Sequence, residues 1–206
     1  EKWEIKDGGL IIIFYLKKNV KWHDGAPFTA KDVKFTYDIY MAPETKTAYR
    51  SLFEPVKNVI VIDDYTVKVN YKKPFAPALQ YWGTGILPSH LLEDKDINTA
   101  VFNRAPVGTG PYTFKNWKTG RSVELMANKD YFDGAPYISN YLFRIIPDQS
   151  VQFMNLQAGS LDMMTLSSDL YFTKANTEDF NKKFNKYIVP AFQYTYIGYN
   201  QNNPLF

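Results

Sequence analysis

Few residues of this sequence carry the chemistry of a catalytic or metal site. Its two histidines, His23 and His90, have no histidine or carboxylate partner at the spacing of a metal motif such as HExxH. No serine lies in the GxSxG pattern of a hydrolase nucleophile. The chain has no cysteine, which excludes disulfides, thiolate metal sites and a cysteine nucleophile. We therefore predict that the chain is not an enzyme, has no catalytic residue and holds no metal or cofactor.

The paired carboxylates are better explained by local structure than by acid–base chemistry. Asp63-Asp64 separates two alternating apolar segments, as the turn of a hairpin does, and Glu93-Asp94 follows a short predicted helix. His23 falls in a turn and His90 in a first helical turn, where polar side chains usually bond to the backbone. We predict structural roles for all of these residues.

Composition excludes several classes of partner. The net charge is only +3, and Lys and Arg are spread along the 206 residues without a basic block, so DNA and RNA binding are not expected. No apolar run approaches the roughly 18 residues of a membrane span. Apolar residues make up 45% of the chain, enough for a core, and aromatic residues 17%. The rings either fill that core or line a ligand groove, and composition leaves both uses open.

The elements that must position any site begin with residues 10–16, a β-branched and aromatic run that predicts a strand buried on both faces. A turn at Asp24-Gly25 and a proline at Pro27 follow. Thr29 then occupies an N-cap position with Asp32 three residues later, which predicts a capping box and an amphipathic helix.

Further strands and helices are predicted along the chain. The strand segments are 57–62 and 66–71 as a hairpin, 112–117 and 122–126, 141–146, 162–166, 186–189 and 193–199. Asp148 caps a helix that Gly159 ends, giving strand–helix–strand over 141–166, and Thr177 caps a helix to residue 184.

Four ordered motifs carry a family resemblance. The strongest is VKWHDGxPFTAxDV, and it is matched by Val20, Lys21, Trp22, His23, Asp24, Gly25, Pro27, Phe28, Thr29, Ala30, Asp32 and Val33. The others are VGTGPY at 107–112, the 128–137 segment with Phe132 in place of the usual Trp, and AGxxD at 158–162; the chain ends on a YIGYN phrase at 196–200. The chain resembles the peptide/nickel-type solute-binding proteins of ABC importers, the extracellular solute-binding family 5.

This resemblance implies an α/β fold of mixed α+β content. The chain would be one lobe of a two-lobe, class II periplasmic-binding-protein-like fold, with a mixed sheet flanked by helices plus a smaller α+β subdomain. Residues 1–104 would form the smaller subdomain, and residues 105–206 the mixed-sheet subdomain that ends at the crossover to the second lobe. The chain is thus expected to be a first-lobe fragment, with an open sheet edge that favours self-association.

The resemblance also implies a function. The chain would belong to the substrate-binding component of an ABC importer that captures oligopeptides, or a similar small solute, in an inter-lobe cleft and delivers them to the membrane permease. An oligosaccharide, a nickel chelate and a non-transport interaction module remain alternatives. The expected location is extracytoplasmic, in the periplasm or on the cell surface as a lipoprotein, with membrane association only through a lipid anchor or the permease.

Candidate ligand-binding residues follow from the same resemblance. The segment Tyr81, Trp82, Gly83 and Thr84 places large rings and a hydroxyl beside a glycine, which suits a ligand groove, although a Trp packed in a loop explains it equally well. Tyr194, Tyr196 and Asn200 are further candidates because they approach the crossover.

Overall fold

The computed structural model describes residues 2–190 and 196–204, and it divides into two compact units, Glu1–Ile145 and Ile146–Phe206. The boundary predicted between residues 104 and 105 falls inside the first unit, between its two sheets. As a division between subdomains it remains a prediction.

The first unit is built on a four-stranded antiparallel sheet in the order β1-β2-β4-β3. Its strands are β1 (Lys2–Lys6), β2 (Ile11–Tyr15), β3 (Val56–Asp63) and β4 (Thr66–Tyr71). Ile12, Val69 and Val59 lie opposite one another across three strands and are buried, so one face of the sheet forms the core. The predicted hairpin at 57–71 is confirmed.

Strand β2 is not buried on both faces as its apolar sequence suggested. Ile12 is buried, but Ile11, Ile13 and Tyr15 on the opposite face are only half-buried. The helix of the first unit packs on one face of the sheet. A run of isoleucines therefore gives the length and type of a strand but not the number of faces that are covered.

That helix, α1 (Ala30–Met41), begins at Thr29, as predicted. The main-chain N–H of Thr29 donates to the carboxylate of Asp32 at 2.9 Å, which is the carboxylate half of the capping box. Val33 and Thr36 turn towards the sheet and are buried. Three short helices complete this part of the unit: α2 (Arg50–Phe53), α3 (Ala78–Tyr81) and α4 (Ser89–Leu92).

The second sheet of the first unit is a three-stranded antiparallel meander. It contains β5 (Tyr112–Lys118), β6 (Ser122–Ala127) and β7 (Asn140–Arg144), close to the three predicted strands. Phe114, Leu125 and Tyr141 lie opposite one another and make one face apolar. No residue between 93 and 152 is fully buried, so this face is only partly covered within the described residues.

The second unit is a small helical cluster. It contains α5 (Gln149–Gln157), α6 (Ser168–Phe172) and α7 (Glu178–Lys183). The predicted caps are confirmed, since Asp148 accepts the N–H of Val151 at 2.8 Å and Thr177 that of Phe180 at 3.2 Å. The Phe153 and Phe180 rings stack at 5.6 Å in its core.

Strand predictions in the second unit were wrong. Residues 162–166 and 186–189 form no strand, and neither do residues 196–199; residues 193–195 lie outside the described part of the chain. Leu161, Met164 and Leu166 pack against the helical core instead of pairing with a strand. Alternating apolar residues form a strand only where another strand offers its edge. Every pairing between the described strands is antiparallel, and the strand predicted at 162–166 is not among them.

Candidate functional site

The segment 81–84 lies at the C-terminal end of α3, beside α1 in the first unit. Tyr81 is the last residue of α3, and the N–H of Thr84 donates to its carbonyl at 3.3 Å. A side chain at Gly83 would place its Cβ 3.1 Å from the carbonyl oxygen of Gln80, so glycine lets this turn close tightly. The four predicted residues are thus held together as one compact turn.

Trp82 packs against the core more than it faces solvent. Its half-buried ring lies 5.8 Å from that of Phe14, 5.3 Å from Phe53 and 6.5 Å from Tyr37, between centroids. Its indole N–H donates to the Tyr71 hydroxyl at 2.9 Å. Burial raises the pKa of Tyr71, and the hydrogen bond from Trp82 opposes that rise. The polar atom of this indole is therefore already used inside the protein.

The side chains of Tyr81 and Thr84 are half-buried, so part of each is accessible to a ligand. The half-buried Tyr81 ring lies 5.4 Å from Phe75. The Thr84 hydroxyl lies 3.3 Å from that of Tyr40, which itself stacks on Phe53 at 5.1 Å. The two hydroxyls can hydrogen-bond a polar group of a ligand, and the neighbouring rings can pack against an apolar group.

The remaining candidates belong to the second unit. Tyr196 is 76% exposed, and Asn200 forms a turn in which its side-chain oxygen accepts the N–H of Asn202 at 3.1 Å. Tyr194 lies outside the described residues. The two groups of candidates are on different units, and the prediction that all seven contact a ligand remains a prediction.

Both histidines join elements of the first unit. The His23 ring bonds to the loop at 108–110, and Nε2 of His90 lies 2.7 Å from the Asp24 carboxylate. Partial burial disfavours the charged form of Asp24, but hydrogen bonds from His90 and from the Ala26 N–H outweigh it and hold the pKa of this carboxyl below its ordinary value. These contacts account for both histidines structurally.

Asp32 has a larger role than its place in a capping box indicated. Its buried carboxylate accepts from the Trp22 indole N–H at 3.3 Å and the Thr29 N–H at 2.9 Å on one oxygen. The other oxygen accepts the N–H and the hydroxyl of Ser89 at 2.9 and 2.8 Å. The capping spacing predicted the bond to Thr29, but nothing in the sequence linked Asp32 to a residue 57 positions away.

Each unit has a surface hollow among its described residues. The first holds about 250 Å³ beside α4 and is lined by apolar residues with Lys95 at its side. The second is open, holds about 960 Å³, and lies between α6, α7 and the segment that follows them. Asp162 lines the second hollow from an exposed position.

Metal and membrane features were sought in the described ranges, 2–190 and 196–204. No group of three His, Cys, Asp or Glu side chains is arranged there to hold a metal ion. None of the helices in those ranges has the length and apolarity needed to cross a bilayer.

Comparison with known proteins gives a consistent match. The family described as bacterial extracellular solute-binding proteins, family 5 Middle, matches residues 1–206. The oligopeptide-binding protein AppA of Bacillus subtilis is 40% identical over 210 residues, covering 97% of this chain and 37% of AppA. The chain therefore spans well under half the length of this relative.

Solved structures of binding proteins have the same fold. NikZ from Campylobacter jejuni, in complex with Ni(L-His), aligns with a TM-score of 0.81 at 34% identity over 86% of this chain and 36% of its own. Bacillus subtilis AppA, in complex with a nonapeptide, aligns at 0.80 with the same identity and coverage. The predicted fold class, a lobe of mixed α/β content from a periplasmic-binding-protein-like fold, is confirmed.

Proposed function

The chain belongs to the bacterial extracellular solute-binding proteins of family 5, and from that premise we propose that it forms part of the first lobe of an ABC importer's substrate-binding component. The solute is an oligopeptide. It is captured in a cleft between two lobes and delivered to the membrane permease. The protein acts outside the cytoplasm, in the periplasm or as a lipoprotein on the cell surface.

One observation carries this proposal: the family match runs over all 206 residues and includes a relative, 40% identical, whose name is oligopeptide-binding protein. The contacts made by the first motif also agree with this proposal. The turn at 20–28 is hydrogen-bonded to the VGTGPY loop through His23, so two motifs far apart in sequence are joined directly. Such a joint suits a lobe that moves as a body.

The proposed mechanism is hinge closure. A ligand that touches both lobes only in the closed form stabilises that form by the difference in its affinity for the two states. This chain supplies only one side of such a cleft. We expect it to bind peptides weakly on its own, because the contacts of the other lobe are missing.

The proposed ligand contacts on this lobe are the seven predicted residues. The paired hydroxyls of Thr84 and Tyr40 supply hydrogen bonds, and Tyr81 and the outer edge of Trp82 supply apolar surface. Tyr194, Tyr196 and Asn200 contact the ligand near the crossover. Rings and hydroxyls of this kind accept many side chains, since water can fill the remaining space.

The test uses the longer protein that contains this chain, purified without added ligand. Native mass spectrometry of the material that co-purifies identifies the solute, and a mixture of short peptides is the expected result. Calorimetric titration of di- to pentapeptides then compares the longer protein with the 206-residue chain. Micromolar binding by the chain alone would contradict the two-lobe mechanism, and a co-purifying sugar or no ligand would contradict the peptide assignment.

A nickel chelate is the second candidate, favoured by the match to NikZ, which was solved with Ni(L-His). The described residues bring together no group of three metal-ligating side chains. A chelate would therefore have to bring most of its own nickel ligands. Titration with Ni²⁺ in the presence and absence of L-histidine separates this candidate from peptide binding.

A further inference from the structure

His23 connects the two sheets of the first unit through both nitrogens of its ring. Its Nδ1 lies 3.2 Å from the backbone nitrogen of Gly108, and its Nε2 lies 2.9 Å from the carbonyl oxygen of Gly110. The backbone N–H of His23 also donates to the carbonyl of Gly108 at 2.8 Å. The turn after β2 and the loop before β5 are therefore joined by three hydrogen bonds.

These contacts fix the protonation state of the imidazole. An amide N–H can only donate, so Nδ1 must accept from Gly108 and carry no proton. A carbonyl oxygen can only accept, so Nε2 must carry the proton that Gly110 receives. The joint therefore requires the neutral ring with its proton on Nε2.

From this geometry we infer that the joint between the two sheets is a pH-sensitive lock, closed when His23 is neutral and loosened when it is protonated. A protonated ring carries a hydrogen on Nδ1 that points at the Gly108 N–H, so one bond is lost and two donors face each other. Histidine is the side chain that ordinarily changes charge between pH 5 and 8. The inference concerns the joint itself and holds whichever solute the protein binds.

The loop lies close to the half-buried imidazole ring. A Cβ at Gly108 would lie 3.4 Å from Cε1 of His23, so the loop is in contact with the imidazole. Gly110 is also held by Asn128, whose side-chain N–H donates to the same carbonyl at 3.2 Å. Protonation therefore acts on a loop that stays bonded at Gly110 and at the Gly108 carbonyl and loses only the bond from the Gly108 N–H.

Other charged groups lie on the segments that meet here. They are Lys21 and Asp24 on the turn, His90 on α4, Arg104 ahead of the loop, and Lys129 and Asp130 after Asn128. Asp24 is occupied by His90 at 2.7 Å, and the guanidinium of Arg104 lies 4.4 Å from the centre of the Trp117 ring. The carboxylate of Asp24 is therefore bonded to His90, the other histidine.

A second connection between the sheets involves no histidine. The Lys17 ammonium lies 4.7 Å from the Phe132 ring centre and 3.4 Å from the Asp133 carboxylate. Lysine and aspartate both stay charged between pH 5 and 8. This contact does not involve His23, so protonation of that ring removes one hydrogen bond between the sheets and leaves other contacts in place.

The test is a pH titration of the ¹⁵N-labelled 206-residue chain followed by NMR. At pH 8, ring spectra should show His23 neutral with its proton on Nε2. Between pH 8 and 5 the Gly108 amide signal should move with the same midpoint as the His23 ring. Its protection from hydrogen exchange should fall by roughly tenfold, the scale of one lost hydrogen bond. The Phe132 ring signals should stay unchanged.

Two variants make the result decisive. His23→Gln should abolish the titration of the Gly108 amide, whereas His90→Gln should leave it intact. A proton on Nδ1 of the neutral ring would overturn the inference. So would a Gly108 amide that ignores the His23 titration, a titration lost in His90→Gln, or a His23 ring that stays neutral down to the pH at which the chain unfolds.

Discussion

Replacing the buried carboxylate of Asp32 by the amide of asparagine is expected to destabilise the first unit by roughly 2–4 kcal/mol. The carboxylate accepts four hydrogen bonds, two on each oxygen, and only 2% of the residue is exposed. Asparagine has nearly the same shape but only one accepting oxygen, because its NH₂ group can only donate. Two of the four donors must then face another donor.

The less costly orientation of the amide can be identified. If the amide oxygen accepts from the N–H groups of Trp22 and Thr29, the NH₂ group faces the N–H and the hydroxyl of Ser89. The hydroxyl can rotate and accept, which leaves only the Ser89 N–H without an acceptor. That one buried donor costs about 1–3 kcal/mol, and the lost charge weakens the bonds that remain. The sum gives the predicted range.

Urea unfolding followed by tryptophan fluorescence measures this loss selectively. The four tryptophans, Trp3, Trp22, Trp82 and Trp117, all lie in the first unit. Asp38→Asn is the matched control, because Asp38 lies on the same helix but is exposed and pairs only with Lys34 among the contacts the structure describes. It should change the free energy of unfolding by less than about 0.5 kcal/mol.

A double-mutant cycle tests whether the lost charge of Asp32 causes the destabilisation. Ser89→Ala should cost less in the Asp32→Asn background than in the wild type, by at least about 0.5 kcal/mol, because the charge that strengthens its hydrogen bond is gone. The reasoning fails if Asp32→Asn costs no more than Asp38→Asn. It also fails if the losses from Asp32→Asn and Ser89→Ala simply add.

Three further perturbations have expected outcomes. Arg50 donates to four main-chain carbonyls at and beyond the end of α1, at 2.7–3.3 Å, so Arg50→Lys should cost about 1–2 kcal/mol in urea unfolding. Gly159 ends α5 with a φ of +73°, so Gly159→Ala should lower stability by about 1 kcal/mol in thermal unfolding followed by circular dichroism. The pKa of Asp24 is lowered in the folded state beside His90, so its contribution to stability is present above the pKa of the unfolded chain and is lost as the pH falls below about 4. Urea unfolding at a series of pH values measures this loss of stability, and Asp24→Asn should make it smaller.

Controls for these three come from the same chain. Lys46→Met, at an exposed position near Arg50, should be nearly neutral, and equal losses for the two variants would contradict the capping role of the guanidinium. Gly85→Ala should not destabilise, because Gly85 does not have a positive φ and no atom lies within 4 Å of the added Cβ. For Asp24, an equal loss of stability at low pH in Asp24→Asn and in the wild type would mean that this carboxylate does not contribute to the pH dependence.

Local signals in the sequence predicted most of the helices and strands. The capping residues Thr29, Asp148 and Thr177 each begin a helix where they were expected, because a cap depends on atoms three residues apart. The hairpin turn at 63–65 set the register of its two strands for the same reason. The strands at 162–166 and 186–189 were wrong because a strand needs a partner, and its partner is not encoded in its own residues.

The candidate site was predictable only in part. The segment 81–84 was predicted as a site from its rings, hydroxyl and glycine, but its sequence could not show that it forms a compact turn or that the Trp82 indole N–H donates to Tyr71, 11 residues earlier. Trp82 therefore belongs to the core as well as to the proposed site. The Thr84 hydroxyl lies beside that of Tyr40, 44 positions away, and no sequence pattern had linked these two residues.

The motifs that identified the family are explained by contacts between them. His23 belongs to one motif and Gly108 to another, and the structure brings these two residues within hydrogen-bonding distance across 85 residues. The second glycine of that loop, Gly110, accepts from both His23 and Asn128, which belongs to a third motif. Three motifs of the resemblance thus meet at one loop, between the two sheets of the first unit. The contacts of these turn and packing residues hold the two sheets and do not depend on any one solute, and the solved structures that resemble this chain were determined with solutes as different as a nonapeptide and Ni(L-His).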